Sequence, residues 1–396
     1  MRAAPAHTLL IPVAIGYTGT LILILPGVPV VTRIVLAALV LASALATWRT
    51  NARWTLVICL AWGVVALSAA VAIGVRRAAA GDWRPWTIAG LLCLLPAVYL
   101  LGHSWRGLLD PLRRRWWLPA GIGLLVATLL GVYVTALPLA AVAPATGALS
   151  APAPTGWQTV SFGTADGVTL QGWYRPGQRD AAIVVVPGAG SDRSGALAQA
   201  QVLAQAGFGV LVYDPRGHGN SGGTAMDFGW AGDQDIAAAV THVLAAGATR
   251  VGVLGLSMGG EQALGAAAAD PRIQAVVAEG ATGRTAADHG WLSEEYGWRG
   301  SVQEGLDAVV FAVTDALTTL PSPVTLDEGV AATAPRPVLL IAAGDRPDEV
   351  EVAQRITVAH ANAREWTVPG AGHTAGLRSE PAQWRDRVVG FFNDAL

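Results

Sequence analysis

The chain reads as an α/β domain with a mostly parallel sheet, preceded by an all-α apolar bundle. Two observations predict this. The first 140 residues hold five apolar runs of roughly bilayer-spanning length, and after Gly156 short β-branched runs alternate with Ala-rich helical stretches. Charge divides along the same line. Met1 to Ser150 carries eleven Arg against Asp82 and Asp110, whereas the remainder carries fifteen Arg against twenty-six acidic residues.

The apolar runs extend over about Thr8 to Leu25, Val28 to Thr47, Trp54 to Val75, Trp86 to Gly102 and Trp117 to Leu139. A bilayer core of about 30 Å needs about 20 apolar residues, so each run is a transmembrane helix candidate. Tryptophans 48, 54, 83, 86, 105, 116 and 117 gather at the run ends, where an amphipathic indole prefers the interface. Ionisable residues are nearly absent within the runs, which favours an anchor over an ion or proton pathway. The first run has no clear cleavage site behind it and is expected to stay attached. With five spans, seven Arg fall on the side of the N-terminus and four on the other. That asymmetry puts the N-terminus in the cytoplasm and the C-terminal domain outside the cell membrane.

The Ala/Pro-rich stretch 141–156 reads as a linker between the membrane region 1–140 and a globular domain 157–396. In the globular part the strands expected are Gln158 to Phe162, Thr169 to Tyr174, Ala182 to Val186, Val210 to Tyr213, Val251 to Leu254, Ile273 to Ala278, Val338 to Ala342 and Glu365 to Val368. The long interval between the sixth and seventh, about residues 280–336, reads as a lid containing Trp291, Tyr296 and Trp298.

Composition removes several function classes. There is no lysine, which excludes Schiff-base chemistry, a Ser-Lys dyad and a lysine-dependent phosphate loop. Both cysteines, Cys59 and Cys93, lie in apolar runs, so the globular domain can hold no disulfide, Cys-ligated zinc or thiol nucleophile. Its acidic balance makes nucleic acid a poor partner. No cofactor and no metal are expected.

The strongest chemical signal is Gly255-Leu256-Ser257-Met258-Gly259, directly between a predicted strand and a helical run. Flanking glycines permit a tight turn that lifts the Ser257 hydroxyl clear of the backbone, and the helix N-terminus behind it adds partial positive charge. A serine nucleophile needs a base. Of seven histidines, His373 follows the last predicted strand, in the order Ser, acid, His. His218, in the turn Asp214 to Ser221, reads as structural. The acid should follow the strand Val338 to Ala342. Asp345, nearest the strand end, is preferred, with Asp348 and Glu349 as alternatives. Backbone N–H groups of Met258 and of Ala189, in the loop Pro187 to Ser191, are the oxyanion donors expected.

Together these motifs resemble the α/β-hydrolase superfamily over residues 157 to 396. The D-x-R-G-H-G-x-S turn at Asp214 to Ser221, the elbow at Gly255 to Gly259 and the late Gly370 to His373 are similar to its serine aminopeptidase-like and monoacylglycerol-lipase-like branch. The resemblance implies an eight-stranded, mostly parallel sheet, no metal, and hydrolysis through an acyl-serine intermediate. Pro187 stands where the family usually has His, and the acid loop Gly344 to Asp348 is not its usual G-x-x-D. The reading that follows is a membrane-anchored serine esterase or lipase acting on a small-molecule or lipid-like acyl substrate. Peptidase or thioesterase activity, or a non-catalytic membrane sensor or binding module on the same fold, are the alternatives.

Overall fold

The computed structural model describes residues 6–49, 52–144, 147, 149 and 151–396. It divides into two compact units, Met1–Ala145 with Gly305–Thr319, and Thr146–Glu304 with Leu320–Leu396.

In the first unit, four helical stretches among the described residues are long and apolar enough to cross a membrane: Val30–Thr47, Arg53–Ala79, Pro85–Leu109 and Arg114–Val142. This corrects the expected five. The first run forms a helix, Ala6–Leu23, but its described apolar part, Leu9–Leu23, is shorter than the others. The helix Ala52–Ala69 continues through a π-helical stretch, Ala70–Val75. There Gly74 meets Gly90 so closely that a Cβ on Gly74 would lie 2.5 Å from the Leu91 nitrogen, the close backbone approach that only small residues allow. Leu21, Leu25, Ile73, Leu139 and Val142 form one core of this unit, and Leu317 belongs to it. The helix Trp298–Leu317 comes from the predicted lid, yet its residues from Gly305 onward group with the N-terminal helices. Thr32 Oγ1 donates to the Ala316 carbonyl (2.7 Å) and Tyr133 Oη to Asp307 Oδ1 (3.4 Å).

The second unit is built on one eight-stranded mixed sheet in the order β1-β2-β4-β3-β5-β6-β7-β8. The strands are β1 Gln158–Gly163, β2 Thr169–Arg175, β3 Ala181–Val186, β4 Gly209–Tyr213, β5 Arg250–Leu256, β6 Ile273–Glu279, β7 Val338–Ala343 and β8 Ala363–Val368. β2 is antiparallel to both neighbours, and every other pairing is parallel. Central β3, Ala-Ala-Ile-Val-Val-Val, is buried throughout because helices cover both faces. Its side chains alternate between two cores: Ala182, Val184 and Val186 face one, Ala181, Ile183 and Val185 the other. Edge strand β1 is largely exposed. The parallel strands bring the ends of β3, β5, β6, β7 and β8 to one edge, where a ligand crevice forms in open α/β sheets.

Candidate active site

Ser257 sits between β5 and the helix Met258–Ala269 with φ 53° and ψ −125°, a backbone region rarely occupied by a residue with a side chain. The flanking glycines are required sterically. A Cβ on Gly255 would strike the Gly259 carbonyl, and one on Gly259 would lie 2.5 Å from the Val186 oxygen and 2.6 Å from the Pro187 oxygen. The Ser257 N–H donates to the Glu279 carbonyl at the end of β6 (2.7 Å), tying the strained turn to the sheet.

His373 lies in the loop after β8, followed by Thr374 at φ 51°. Its Nε2 is 2.8 Å from Ser257 Oγ and its Nδ1 is 2.6 Å from Glu349 Oε1. The other Glu349 oxygen accepts the Ala343 N–H at the end of β7 (2.9 Å). Glu349 is 1% exposed, so solvent reaches the pair only from the His373 side. Its hydrogen bond raises the His373 pKa above the ordinary imidazole value, outweighing the opposing effect of burial.

Among the three acids weighed from the sequence, the structure therefore brings Glu349, and not Asp345, to the imidazole. Asp345 is exposed, and its backbone N–H donates to the Ala371 carbonyl (3.1 Å). Asp348 pairs with Arg346 at the surface (3.1 Å). The reason is local. Pro347 opens a helix, Pro347–Ala359, three residues after Gly344, so residue 349 falls in a first helical turn rather than in an extended loop. A helical Cβ tilts toward the N-terminus, which aims Glu349 back at the strand ends, and the longer glutamate spans the remaining gap.

Met258, placed as an oxyanion donor, is the first residue of its helix, so its N–H has no acceptor within that helix. Ala189 is exposed in the turn closed by Ser191 N–H to Gly188 O (3.2 Å). That loop runs against the nucleophile: a Cβ on Gly188 would lie 3.2 Å from Ser257 Cβ. His218 is buried elsewhere, with Nδ1 3.1 Å from the Arg216 carbonyl. Its turn is a polar knot. Asp214 accepts the backbone N–H of Arg193 and of Asn220 (both 2.8 Å), while Arg216 pairs with Asp235 (2.7 Å) and Asp166 (2.8 Å).

Sequence reading missed Glu279. It is 2% exposed beside the site, and it accepts from Gly376 N–H (2.8 Å) and Trp384 Nε1 (2.9 Å). The available signal was an acid ending the apolar run Ala275 to Ala278, immediately before Gly280.

A curated relative, the polyketide transferase GrgF of Penicillium, is 33% identical over 131 residues, 30% of this chain and 43% of that protein. The match thus spans less than half the relative's length. Among solved structures, an esterase of Pyrococcus furiosus is similar at TM-score 0.49 and 21% identity, over 63% of this chain and 99% of that one. A dienelactone hydrolase of Anabaena variabilis is similar at TM-score 0.43 and 20% identity, over 61% and 99%. The sequence profile of the Alpha/beta hydrolase family matches residues 183–387, from within β3 to the last helix. That interval is more than half of the 396 residues, and the chain belongs to the alpha/beta hydrolase family.

Proposed function

We propose that the chain is a membrane-anchored serine hydrolase that cleaves acyl esters through an acyl-serine intermediate. One observation carries this: Ser257 Oγ, His373 and Glu349 stand in a continuous hydrogen-bonded series at 2.8 and 2.6 Å. In this reading His373 Nε2 takes the Ser257 proton as Oγ attacks the acyl carbonyl, while Glu349 holds the tautomer and stabilises the imidazolium. The oxyanion that develops is met by the N–H groups of Met258 and Ala189. His373 then protonates the leaving group, and water, activated by the same imidazole, releases the acid. Four helices of spanning length and composition support the anchor. The aromatic pair Trp291 and Tyr296 in the interval after β6, 6.1 Å apart between ring centroids, supports an apolar acyl group. The motifs of the serine aminopeptidase-like and monoacylglycerol-lipase-like branch favour that branch within the family.

A fluorophosphonate probe tests this directly. It should label the full-length protein at one site, lost in Ser257→Ala. Absence of labelling in folded protein would instead support a non-catalytic binding module. The likeness to a named polyketide transferase supports a second reading, transfer of the acyl group to an acceptor other than water. Added alcohols or amines would then divert product from the free acid well beyond their molar share.

A further inference from the structure

We propose that Glu279 is a positioning residue that holds the serine turn and the histidine loop in mutual register. The inference rests on the Ser257-His373 reading above. Glu279 makes contact with both halves of the site through different atoms. Its carbonyl accepts the Ser257 N–H (2.7 Å). Its carboxylate accepts Gly376 N–H (2.8 Å), three residues beyond His373, and Trp384 Nε1 (2.9 Å). Trp384 is fully buried on the last helix, Pro381–Ala395, and so gives the carboxylate a rigid second donor. The next residue, Gly280, has φ 77°, and a Cβ there would lie 3.0 Å from His373 Cε1. The imidazole thus rests against the chain that Glu279 anchors.

A carboxylate 2% exposed with no arginine in any ion pair to it, among the described residues, is a costly way to close a strand end. The groups that face the carboxylate are Glu349 from the helix Pro347–Ala359, His373 and the Gly376 N–H from the loop after β8, and the Trp384 indole. Burial, with the neighbouring Glu349 charge, raises the Glu279 pKa above the ordinary carboxyl value, against its two donors and His373, which favour the anion. Of these groups only His373 gains a positive charge during catalysis. In its ionised form the Glu279 carboxylate favours that charge, and its hydrogen bonds keep the ring where Ser257 Oγ can reach it.

Reach and charge can be separated by measuring p-nitrophenyl ester hydrolysis against pH with full-length protein. Glu279→Gln keeps the size but loses the charge and turns an amide N–H₂ toward one of two donors. Its kcat should fall about tenfold to a hundredfold with KM within about twofold, and the acid limb of kcat/KM should move to lower pH. Glu279→Asp keeps the charge but shortens the reach, so kcat should fall with the acid limb near its wild-type position. Should Glu279→Gln fold poorly, Gly376→Ala tests the same link from the loop side, since its Cβ would lie 2.9 Å from Glu279 Oε1. It should lower kcat severalfold with the acid limb in place. Wild-type kcat and acid limb in folded Glu279→Gln, or wild-type kcat in Gly376→Ala when the Gln variant does not fold, overturn the inference. If the wild-type protein itself fails to label with fluorophosphonate at Ser257, the hydrolase reading falls, and this inference falls with it.

Discussion

Glu349 Oε1 lies 2.6 Å from His373 Nδ1, while the second oxygen of the same carboxylate is held at 2.9 Å by the Ala343 N–H at the end of β7. The imidazole is thereby oriented by a group that is itself immobilised by the sheet. Replacing Glu349 by Gln preserves shape but removes the charge and presents an amide N–H₂ to one of its two donors. Turnover should fall by up to about 10⁴-fold, the loss seen when a triad carboxylate becomes an amide. Asp345→Asn and Asp348→Asn should stay within severalfold of wild type, because exposed carboxylates act only through screened fields. A kcat/KM series on a p-nitrophenyl ester decides this; a collapse at 345 with 349 unaffected would refute the assignment.

Ser257→Ala and His373→Ala should each reduce ester hydrolysis to near background, and the double variant should be hardly worse than either. His218→Ala, assayed well below its unfolding temperature, should retain most activity. Loss of activity in folded His218→Ala with retention in His373→Ala would reverse the choice of base.

The pH dependence follows from the direction of the His373 shift. Only the neutral imidazole accepts the Ser257 proton, so the acid limb of kcat/KM should sit above the ordinary histidine value of about 6.5. Stability carries the matching signature. A folded-state pKa raised above the unfolded one stabilises the fold fully below about pH 6.5, and that stabilisation is lost as pH rises through the folded value. Glu349→Gln should move the acid limb of its residual activity downward, read from rate profiles at matched ionic strength. An unmoved limb would show that Glu349 does not set the His373 pKa.

The proposed extracytoplasmic side of the second unit rests on the arginine asymmetry: the loops opposite it hold seven Arg against four if the short first helix crosses, and six against five if it does not. Val358 is 90% exposed, whereas the native Cys59 and Cys93 are buried. Val358→Cys should therefore be labelled by a membrane-impermeant maleimide in intact cells. Labelling only after lysis would place the site in the cytoplasm.

All eight strands were legible because each is a short β-branched run between turn signals, and the serine elbow and His373 were legible because their glycines and chain order carry steric meaning. Glu349 was not preferred, because the helix that aims it begins at Pro347 and the reading extended the loop past that point. Glu279 was invisible for a different reason. Its partners Gly376 and Trp384 are about a hundred residues away, at separations of 97 and 105, so no local pattern reports them. The lid was read as one interval, since nothing in its composition marks Gly305 as the residue where the chain passes into another core.

That passage has a consequence for how the protein is made and cut. The chain changes unit at three places, near residues 145, 304 and 319, rather than at one. The N-terminal core receives Leu317 only after about two thirds of the second unit's residues have been synthesised, so its folding cannot be finished when the stretch Arg114–Val142 is made. A single nick in the segment after residue 145 would leave two fragments, the second of which still holds residues 305–319 of the first fragment's unit. Such a nicked protein should migrate as two bands under denaturing conditions and as one species under native ones.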